Sequence, residues 1–260
     1  MMPEEDRLEQ ALINDLAKMI EQGTGIDIRK QNITRPVVLE LRHWLDKTSG
    51  KPDWSHVAHH FVNQETSFFR SYLVWRALDD LLDRDVKHVW FAGCSSGEEA
   101  YSLLLLASQK NTNPVPGITA TDLSQRSIES AMDGHYLIHR KSEQSAIETF
   151  SGTRLFEMSV DGSNLQAVVQ MSEKAREQID FSSQNLLQSG FRDAFDLIIC
   201  RNVLVHMSDA SQAIVLDHLS QALMPGGFLI LGDSDPRPSD LSPVEIGGLL
   251  LWSQNRREHG

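Results

Sequence analysis

The sequence contains little cysteine, little positive charge and no long apolar run. Of its 260 residues two are cysteines, Cys94 and Cys200, which are too few for a disulfide scaffold and are expected to be inert buried thiols. No run of about 18 apolar residues occurs, so no transmembrane helix is expected. The acidic first ten residues lack the apolar core of a secretion signal. These absences favour a cytoplasmic protein.

Positive charge is scarce, since the sequence has 24 basic and 36 acidic side chains and a formal net charge of −12. Binding to nucleic acid requires a basic surface, so this balance argues against a nucleic-acid partner. His56, His59 and His60 are the nearest approach to a metal motif. No further ligand spacing accompanies them, and no metal site is predicted.

The first quarter of the chain is predicted to be helical. Apolar residues recur at helical spacing up to a Gly-Thr-Gly turn at 23–25, and two shorter helical patterns follow near 36–50 and 54–61. Residues 1–62 are therefore expected to form a small N-terminal helical domain. Residues 63–86 are expected to form a linker helix with a Thr-Ser-Phe-Phe-Arg motif, whose two aromatic residues anchor the segment in a core.

The remaining residues, 87–260, alternate between strand and helix patterns. This alternation predicts a doubly wound α/β fold with a mostly parallel sheet and right-handed crossovers. A polar stretch at 137–175 interrupts the alternation and is interpreted as an inserted subdomain. A final strand or hairpin is expected near 244–252. Ligands bind beyond the carboxyl ends of the strands in such sheets, so the residues there are the candidates for a site.

The predicted first strand ends in the sequence Gly93-Cys-Ser-Ser-Gly-Glu-Glu, a turn typical of nucleotide-type sites. Gly93 and Gly97 let the backbone approach a ligand closely, because they carry no Cβ. Glu98 and Glu99, at the start of the next helix, would repel a pyrophosphate, although they also complement the helix dipole. The pattern favours S-adenosylmethionine, with its sulfonium and ammonium, over NAD.

Polar residues end the following strands. Asp122 stands where a carboxylate accepts hydrogen bonds from ribose hydroxyls. Asn185 and Asn202 each donate and accept, as an adenine edge or an amino-acid group requires, and the alternative role for either is a loop cap. Arg70 follows the aromatic anchor and is either a ligand for a carboxylate or a surface arginine at a helix start.

These motifs belong to an ordered series, which consists of Thr66-Ser-Phe-Phe-Arg70, Gly93-Cys-Ser-Ser-Gly-Glu-Glu-Ala-Tyr-Ser102, Asp122, Asn185-Leu186, Cys200-Arg-Asn-Val203 and Gly232-Asp-Ser234. The series covers residues 64–234 and resembles the CheR family of chemotaxis receptor methyltransferases. The resemblance implies a class I S-adenosylmethionine-dependent methyltransferase fold, with a helical N-terminal domain and a small β-subdomain at 137–175.

The resemblance also implies a function, a cofactor and a partner. The family transfers a methyl group from S-adenosylmethionine to glutamate side chains of chemoreceptor-type signalling proteins. The products of the family reaction are γ-methyl esters and S-adenosylhomocysteine. The resemblance thus implies a bacterial enzyme that meets the membrane only through its receptor. Arg70 is a catalytic candidate, since it is expected to orient the carboxylate of either the substrate or the cofactor. The resemblance itself concerns cofactor contacts. It assigns cofactor contacts to Gln64, Thr66, Arg70, Gly93, Glu98, Asp122, Asn185, Leu186, Asn202 and Val203.

The sequence departs from the family pattern at four positions. Gln64 replaces an asparagine, Ser71 an acid, Ala100 a proline and His206 an aromatic residue. The predicted second helix is also less basic than the helix with which the family docks receptors. His206 is therefore a second catalytic candidate, either as a base for a hydroxyl acceptor or as a histidine that only hydrogen-bonds a neighbour. Besides glutamate methylation, the departures leave two functions open: methylation of another acceptor, and a signalling module that binds the cofactor without methyl transfer.

Overall fold

The computed structural model describes residues 4–30, 39, 43, 53–55, 66–110, 114–161, 166–188 and 190–254. Most of the predicted second and third helices therefore lies outside the described residues, as do Gln64, His56, His59 and His60. Within the described residues, no helix is long and apolar enough to cross a membrane.

The helices follow one another as α1 (Glu4–Thr24), α2 (Tyr72–Leu82), α3 (Glu98–Gln109), α4 (Gln125–Asp133), α5 (Lys141–Glu148), α6 (Glu173–Arg176) and α7 (Asp209–Ala222). The strands are β1 (His88–Ala92), β2 (Gly117–Asp122), β3 (His135–Ile138), β4 (Phe156–Asp161), β5 (Gln166–Met171), β6 (Ile179–Ser183), β7 (Phe195–Cys200), β8 (Leu223–Leu231), β9 (Ser242–Ile246) and β10 (Leu249–Ser253). Short 3₁₀ turns lie at Ile28–Lys30, Ser151–Thr153, Leu186–Gln188 and Leu204–His206.

A seven-stranded sheet in the order β6-β2-β1-β7-β8-β10-β9 forms the centre of the molecule. β1 is parallel to both β2 and β7, and β2–β6 and β7–β8 are also parallel. β10 runs antiparallel to β8 and β9, which confirms the predicted final hairpin. The strand order reverses between β1 and β7, and a crevice opens at the carboxyl ends of strands at such a point.

Both faces of the sheet are buried. Val89 and Phe91 of β1 belong to a core cluster that includes residues of α2 and α3, whereas Trp90 and Ala92 belong to a second cluster with residues of α7. Side chains alternate between the two faces along a strand. The continuous apolar run of β1 is therefore explained by helices on both sides, as a doubly wound sheet requires.

A second, antiparallel sheet in the order β3-β5-β4 accounts for much of the stretch that was expected to be an insertion. The aromatic anchor of the linker packs beside it. The ring centroid of Phe68 lies 5.0 Å from that of Tyr136 on β3, and Phe69 stacks on Phe150 at 4.6 Å. The anchoring role of the aromatic pair is thus confirmed. The division of the chain into domains stays a prediction.

The segment Pro225-Gly-Gly has a different place from the one expected. The sequence suggests that it separates a helix from a strand, but α7 ends at Ala222 and β8 begins at once with Leu223. The segment lies inside β8, where the pairing with β7 shifts register between Phe195 and Leu197. The strand tolerates the irregularity because these residues lie near its start, before the regular pairing with β7.

Candidate functional site

A cavity of about 980 Å³, including the part open to solvent, lies at the carboxyl ends of the central strands. The structure brings most of the predicted site residues together on its wall. They are Thr66, Arg70, Gly93, Asp122, Asn185, Leu186, Asn202, Val203 and His206. Their roles in binding or catalysis stay predictions, but residues from five separate segments of the sequence share one cavity.

Glu98 is a predicted cofactor contact that does not line this cavity. Its carboxylate accepts a hydrogen bond of 2.8 Å from the Ser96 hydroxyl and faces a neighbouring cavity, which Tyr136 and Glu143 also line. The next residue, Glu99, lines the first cavity instead.

Gly93 fixes the turn after β1. Its φ of 87° is in the left-handed region, and a Cβ at this position would lie 2.4 Å from Cγ2 of Val203. The amides of Gly93 and Cys94 donate to the carbonyl oxygen of Thr121 at 2.8 and 2.9 Å. The turn is therefore tied to the end of β2, and the missing side chain lets it approach the loop after β7 closely.

Asp122 is held rigidly in the cavity wall. One carboxylate oxygen accepts from the amide of Ser95 and the other from the amide of Ser124, both at 2.9 Å. Burial raises the pKa of Asp122, and these hydrogen bonds oppose the shift by favouring the ionised form. Each oxygen keeps a further lone pair, so the carboxylate remains able to accept from a ligand hydroxyl.

Glu99 and Arg201 form a buried ion pair on the same wall, with exposed side-chain fractions of 17% and 8%. Burial raises the pKa of Glu99, whereas the charges of Arg201 and Arg70 oppose that rise. The Nε of Arg201 is buried and has no hydrogen-bond partner among the described residues. The cavity therefore combines an acid with two guanidinium groups. Sequence reasoning did not include Arg201, although it stands beside Asn202.

His206 occupies the loop that follows β7. It belongs to the 3₁₀ turn Leu204–His206 and lines the cavity. Burial lowers the pKa of His206 below its usual value, while the charge of Asp235 opposes this shift. The imidazole is therefore neutral at pH 7 and able to accept a proton.

Residues at the end of α1 and just after it also line the cavity, which the sequence did not suggest. Thr24 and Ile26 are on its wall, and Ile26 forms an isolated antiparallel bridge with Met207. The amide of Asp27 donates to the carbonyl oxygen of His206 at 2.9 Å. The end of the N-terminal helix is thus attached to the loop that carries His206. Contacts between residues so far apart in the sequence leave no local pattern.

The Asn185 side chain connects the same two parts of the chain. Its Nδ2 donates to the carbonyl oxygen of Gly23 at 2.8 Å, and its Oδ1 accepts from the amide of Leu187 at 3.0 Å. Both polar atoms therefore have protein partners. The structure places Asn185 on the cavity wall with the hydrogen bonds of a loop cap, which was the alternative role considered for it.

Cys94 and Cys200 are free and buried. They lie at the ends of the adjacent strands β1 and β7, and burial raises the pKa of both thiols. A protonated buried thiol is a poor nucleophile, so the structure agrees with the prediction of two inert cysteines.

Features of the cavity fit S-adenosylmethionine. The turn at Gly93 lines the cavity, and Oε1 of Gln184 on the wall is buried without a hydrogen-bond partner among the described residues. A buried acceptor of this kind suits the amino group of a ligand. Asp122 and Glu99 offer carboxylates for hydroxyl groups and positive charge, and Arg70 offers a cation for a carboxylate.

Glu98 provides a test of the electrostatics beside the cavity. Burial raises its pKa from 4.5 to about 7, so the folded protein retains a proton that the unfolded chain releases between these values. The contribution of Glu98 to the free energy of unfolding therefore falls as the pH rises through this range and is constant above it. Glu98→Gln should remove this fall. Between pH 5 and pH 8, the free energy of unfolding of the variant should therefore decrease by about 3 kcal/mol less than that of the wild type.

Urea denaturation at intervals between pH 5 and 8 measures this difference. Glu148→Gln is a matched control because Glu148 is exposed at the end of α5, and it should leave the pH dependence unchanged. Parallel curves for wild type and Glu98→Gln would contradict the assigned pKa.

Comparison with known proteins identifies similar chains. The family model described as "CheR methyltransferase, SAM binding domain" matches residues 63–243. A chemotaxis protein methyltransferase of Listeria monocytogenes is 32% identical over 189 residues, 70% of this chain and 68% of the relative. One of Vibrio parahaemolyticus is 32% identical over 190 residues, 67% of this chain and 65% of the relative. One of Salmonella typhimurium is 26% identical over 273 residues, 96% of this chain and 92% of the relative.

The first two relatives are thus matched over about two thirds of their own length. The matched family model is that of an S-adenosylmethionine-binding domain, which confirms the predicted cofactor. Together with the mostly parallel sheet, it also confirms the predicted class I methyltransferase fold.

Proposed function

Since the chain belongs to the CheR family of methyltransferases, we propose that it forms γ-methyl esters on glutamate side chains of chemoreceptor-type signalling proteins. The observation that carries the choice of a carboxylate acceptor is the position of Arg70. Its guanidinium is on the wall of the cofactor cavity, close enough to Glu99 to affect the pKa of that acid. A cation there favours a substrate that is itself an anion.

The proposed reaction requires little acid–base catalysis from the protein. The bound cofactor supplies a methyl group on a positively charged sulfur. A glutamate side chain has a pKa of about 4.3 and is already a nucleophilic carboxylate at pH 7, so no general base is needed. The residues of this chain must hold the acceptor in line with the methyl group and exclude water. Arg70 orients a carboxylate, either that of the acceptor or that of the cofactor.

The cofactor is held by residues from both sides of the crevice. Asp122 accepts hydrogen bonds from the ribose hydroxyls, and the Gly93 turn admits the ligand next to the backbone. Glu99 compensates positive charge on the cofactor, a role that its place on the cavity wall supports better than that of Glu98. Asn202 and Val203 border the ligand from the loop after β7. Thr66, Asn185 and Leu186 complete the wall.

A second candidate function is methyl transfer to a hydroxyl acceptor with His206 as the base. The observation that favours it is the half-buried imidazole of His206 on the cavity wall, whose pKa burial lowers. A neutral histidine accepts the proton that a hydroxyl loses as it attacks. A glutamate acceptor carries no such proton, and His206 then serves only to shape the cavity.

The experiment that tests the proposed function is transfer of labelled methyl groups to membranes that contain the receptors of the source organism. We expect label on receptor bands, released as methanol by mild base, since this lability identifies an ester. His206→Gln should keep most of this activity. Label that is stable to mild base and is lost in this variant would favour the hydroxyl acceptor, because a methyl ether does not hydrolyse as an ester does. Tight binding of S-adenosylhomocysteine by wild type without transfer to any receptor would contradict both candidate functions. It would indicate a signalling module that binds the cofactor without methyl transfer.

A further inference from the structure

A buried carboxylate, Asp235, organises the loop after β7. Asp235 follows β8 and is 7% exposed. One of its oxygens accepts from the amides of Asn202 at 2.7 Å and Gly232 at 2.9 Å, and the other accepts from the amide of Val205 at 3.0 Å. Both oxygens therefore bind backbone, and two of the three donors belong to the loop that borders the cofactor cavity.

The loop requires such an acceptor. Asn202 has a φ of 58°, in the left-handed region, which asparagine adopts more readily than most residues other than glycine. A buried amide without an acceptor is costly, so the loop backbone is stable only while Asp235 accepts from it. Burial raises the pKa of Asp235, and its hydrogen bonds from backbone amides oppose that shift.

The approach of the two loops is also close. A Cβ on Gly232 would lie 2.8 Å from the amide nitrogen of Asn202 and 2.8 Å from Oδ2 of Asp235. No substituent fits between the strand end and the loop. The position of the loop is therefore set by the carboxylate and by direct backbone packing against Gly232.

We propose that Asp235 is a positioning residue for methyl transfer, which holds Asn202, Val203 and His206 in the geometry that the cofactor and the acceptor require. The side chain acts through the backbone of the loop and does not line the cavity itself. The part of this inference that concerns the acceptor rests on the proposed function. The part that concerns the cofactor does not, because the cofactor cavity borders the same loop.

The test is Asp235→Asn, studied in the full-length protein. The amide offers one oxygen and one NH₂ group, so at least one backbone N–H loses its acceptor and faces another donor. We expect the affinity for S-adenosylhomocysteine, measured by calorimetry, to fall at least tenfold with the binding stoichiometry unchanged. In the receptor assay the KM for S-adenosylmethionine should rise and kcat should fall as well.

Asp196→Asn is the matched control. One oxygen of Asp196 accepts from the amides of Lys87 and His88 at 2.9 and 2.8 Å, at the opposite end of β1. It makes the same kind of contact away from the cavity, so its loss should lower stability without changing affinity or KM.

Two outcomes would overturn the proposal. One is wild-type affinity and KM for Asp235→Asn. The other is a lower binding stoichiometry with wild-type affinity in the remaining fraction, which indicates a purely structural role. If Asp235→Asn does not fold, Gly232→Ala displaces the same loop with the carboxylate intact, and wild-type affinity in that variant would equally overturn the proposal. Calorimetry needs no receptor. A failure of the proposed receptor substrate is therefore distinguishable from a failure of the role proposed for Asp235.

Discussion

Glu99→Ala is expected to lower the free energy of unfolding by about 3–5 kcal/mol. The variant leaves the guanidinium of Arg201 buried, with an exposed side-chain fraction of 8% and without its ion-pair partner. The Nε of Arg201 has no partner among the described residues even in the wild type, so little compensation is available. Removing one member of a buried pair costs far more than the pair itself contributes, because the remaining charge is desolvated.

Urea denaturation at pH 7 measures the effect, and two further variants make it specific. Asp85→Ala breaks the exposed pair between Asp85 and Lys87, and it should leave the free energy of unfolding nearly unchanged. The double variant Glu99→Leu with Arg201→Leu should recover most of the loss, since apolar residues replace a buried pair at little cost.

The same double variant separates stability from binding. It is expected to fold but to bind S-adenosylhomocysteine poorly, because it removes two charged side chains from the cavity wall. If it bound the ligand as wild type does, Glu99 and Arg201 would be structural residues, and the role proposed for Glu99 in binding the cofactor would be wrong.

Gly93→Ala is expected to reduce the affinity for S-adenosylhomocysteine on the order of a hundredfold. A side chain at a φ of 87° costs about 1–2 kcal/mol, and its Cβ would lie 2.4 Å from Cγ2 of Val203. Valine is stiff about χ1 and does not rotate away freely. The turn or Val203 must therefore shift, and both line the cavity proposed to hold the cofactor. About 1.4 kcal/mol corresponds to each tenfold loss of affinity.

Calorimetric titration with S-adenosylhomocysteine measures the loss, and Gly152→Ala is the control. A Cβ on Gly152 would meet no atom within 4 Å, and this residue lies in the short turn after α5, away from the cavity wall. Unaltered binding by Gly93→Ala would show that the turn does not border the cofactor.

The elements of the fold were predictable where adjacent residues determine them. The side chain of Ser124 accepts from the amide of Ser127 at the start of α4, and Gly134 ends that helix in a left-handed conformation, two boundary signals that depend only on neighbouring residues. The alternation of apolar and polar segments likewise predicted the parallel sheet. Because the carboxyl ends of parallel strands share one edge, Gly93, Asp122 and Asn202 were correctly placed on one cavity.

The tertiary structure alone decided which of two neighbouring acids faces that cavity. Successive residues on a helix point about 100° apart, so the choice between Glu98 and Glu99 depends on how α3 is rotated against the sheet. The packing of α3 turns Glu99 towards Arg201 and Glu98 towards the second cavity. The Gly-x-Ser-x-Gly-Glu-Glu pattern contains both acids and no information about this rotation.

Long-range hydrogen bonds were likewise invisible in the sequence. Asn185 contacts the end of α1 at Gly23, and Asp235 accepts from the loop that begins at Asn202. Local patterns report the conformation that a residue and its neighbours prefer. They do not report which distant backbone amide will lack an acceptor once the chain is folded. The amides of the loop after β7 require such an acceptor, and Asp235 supplies it.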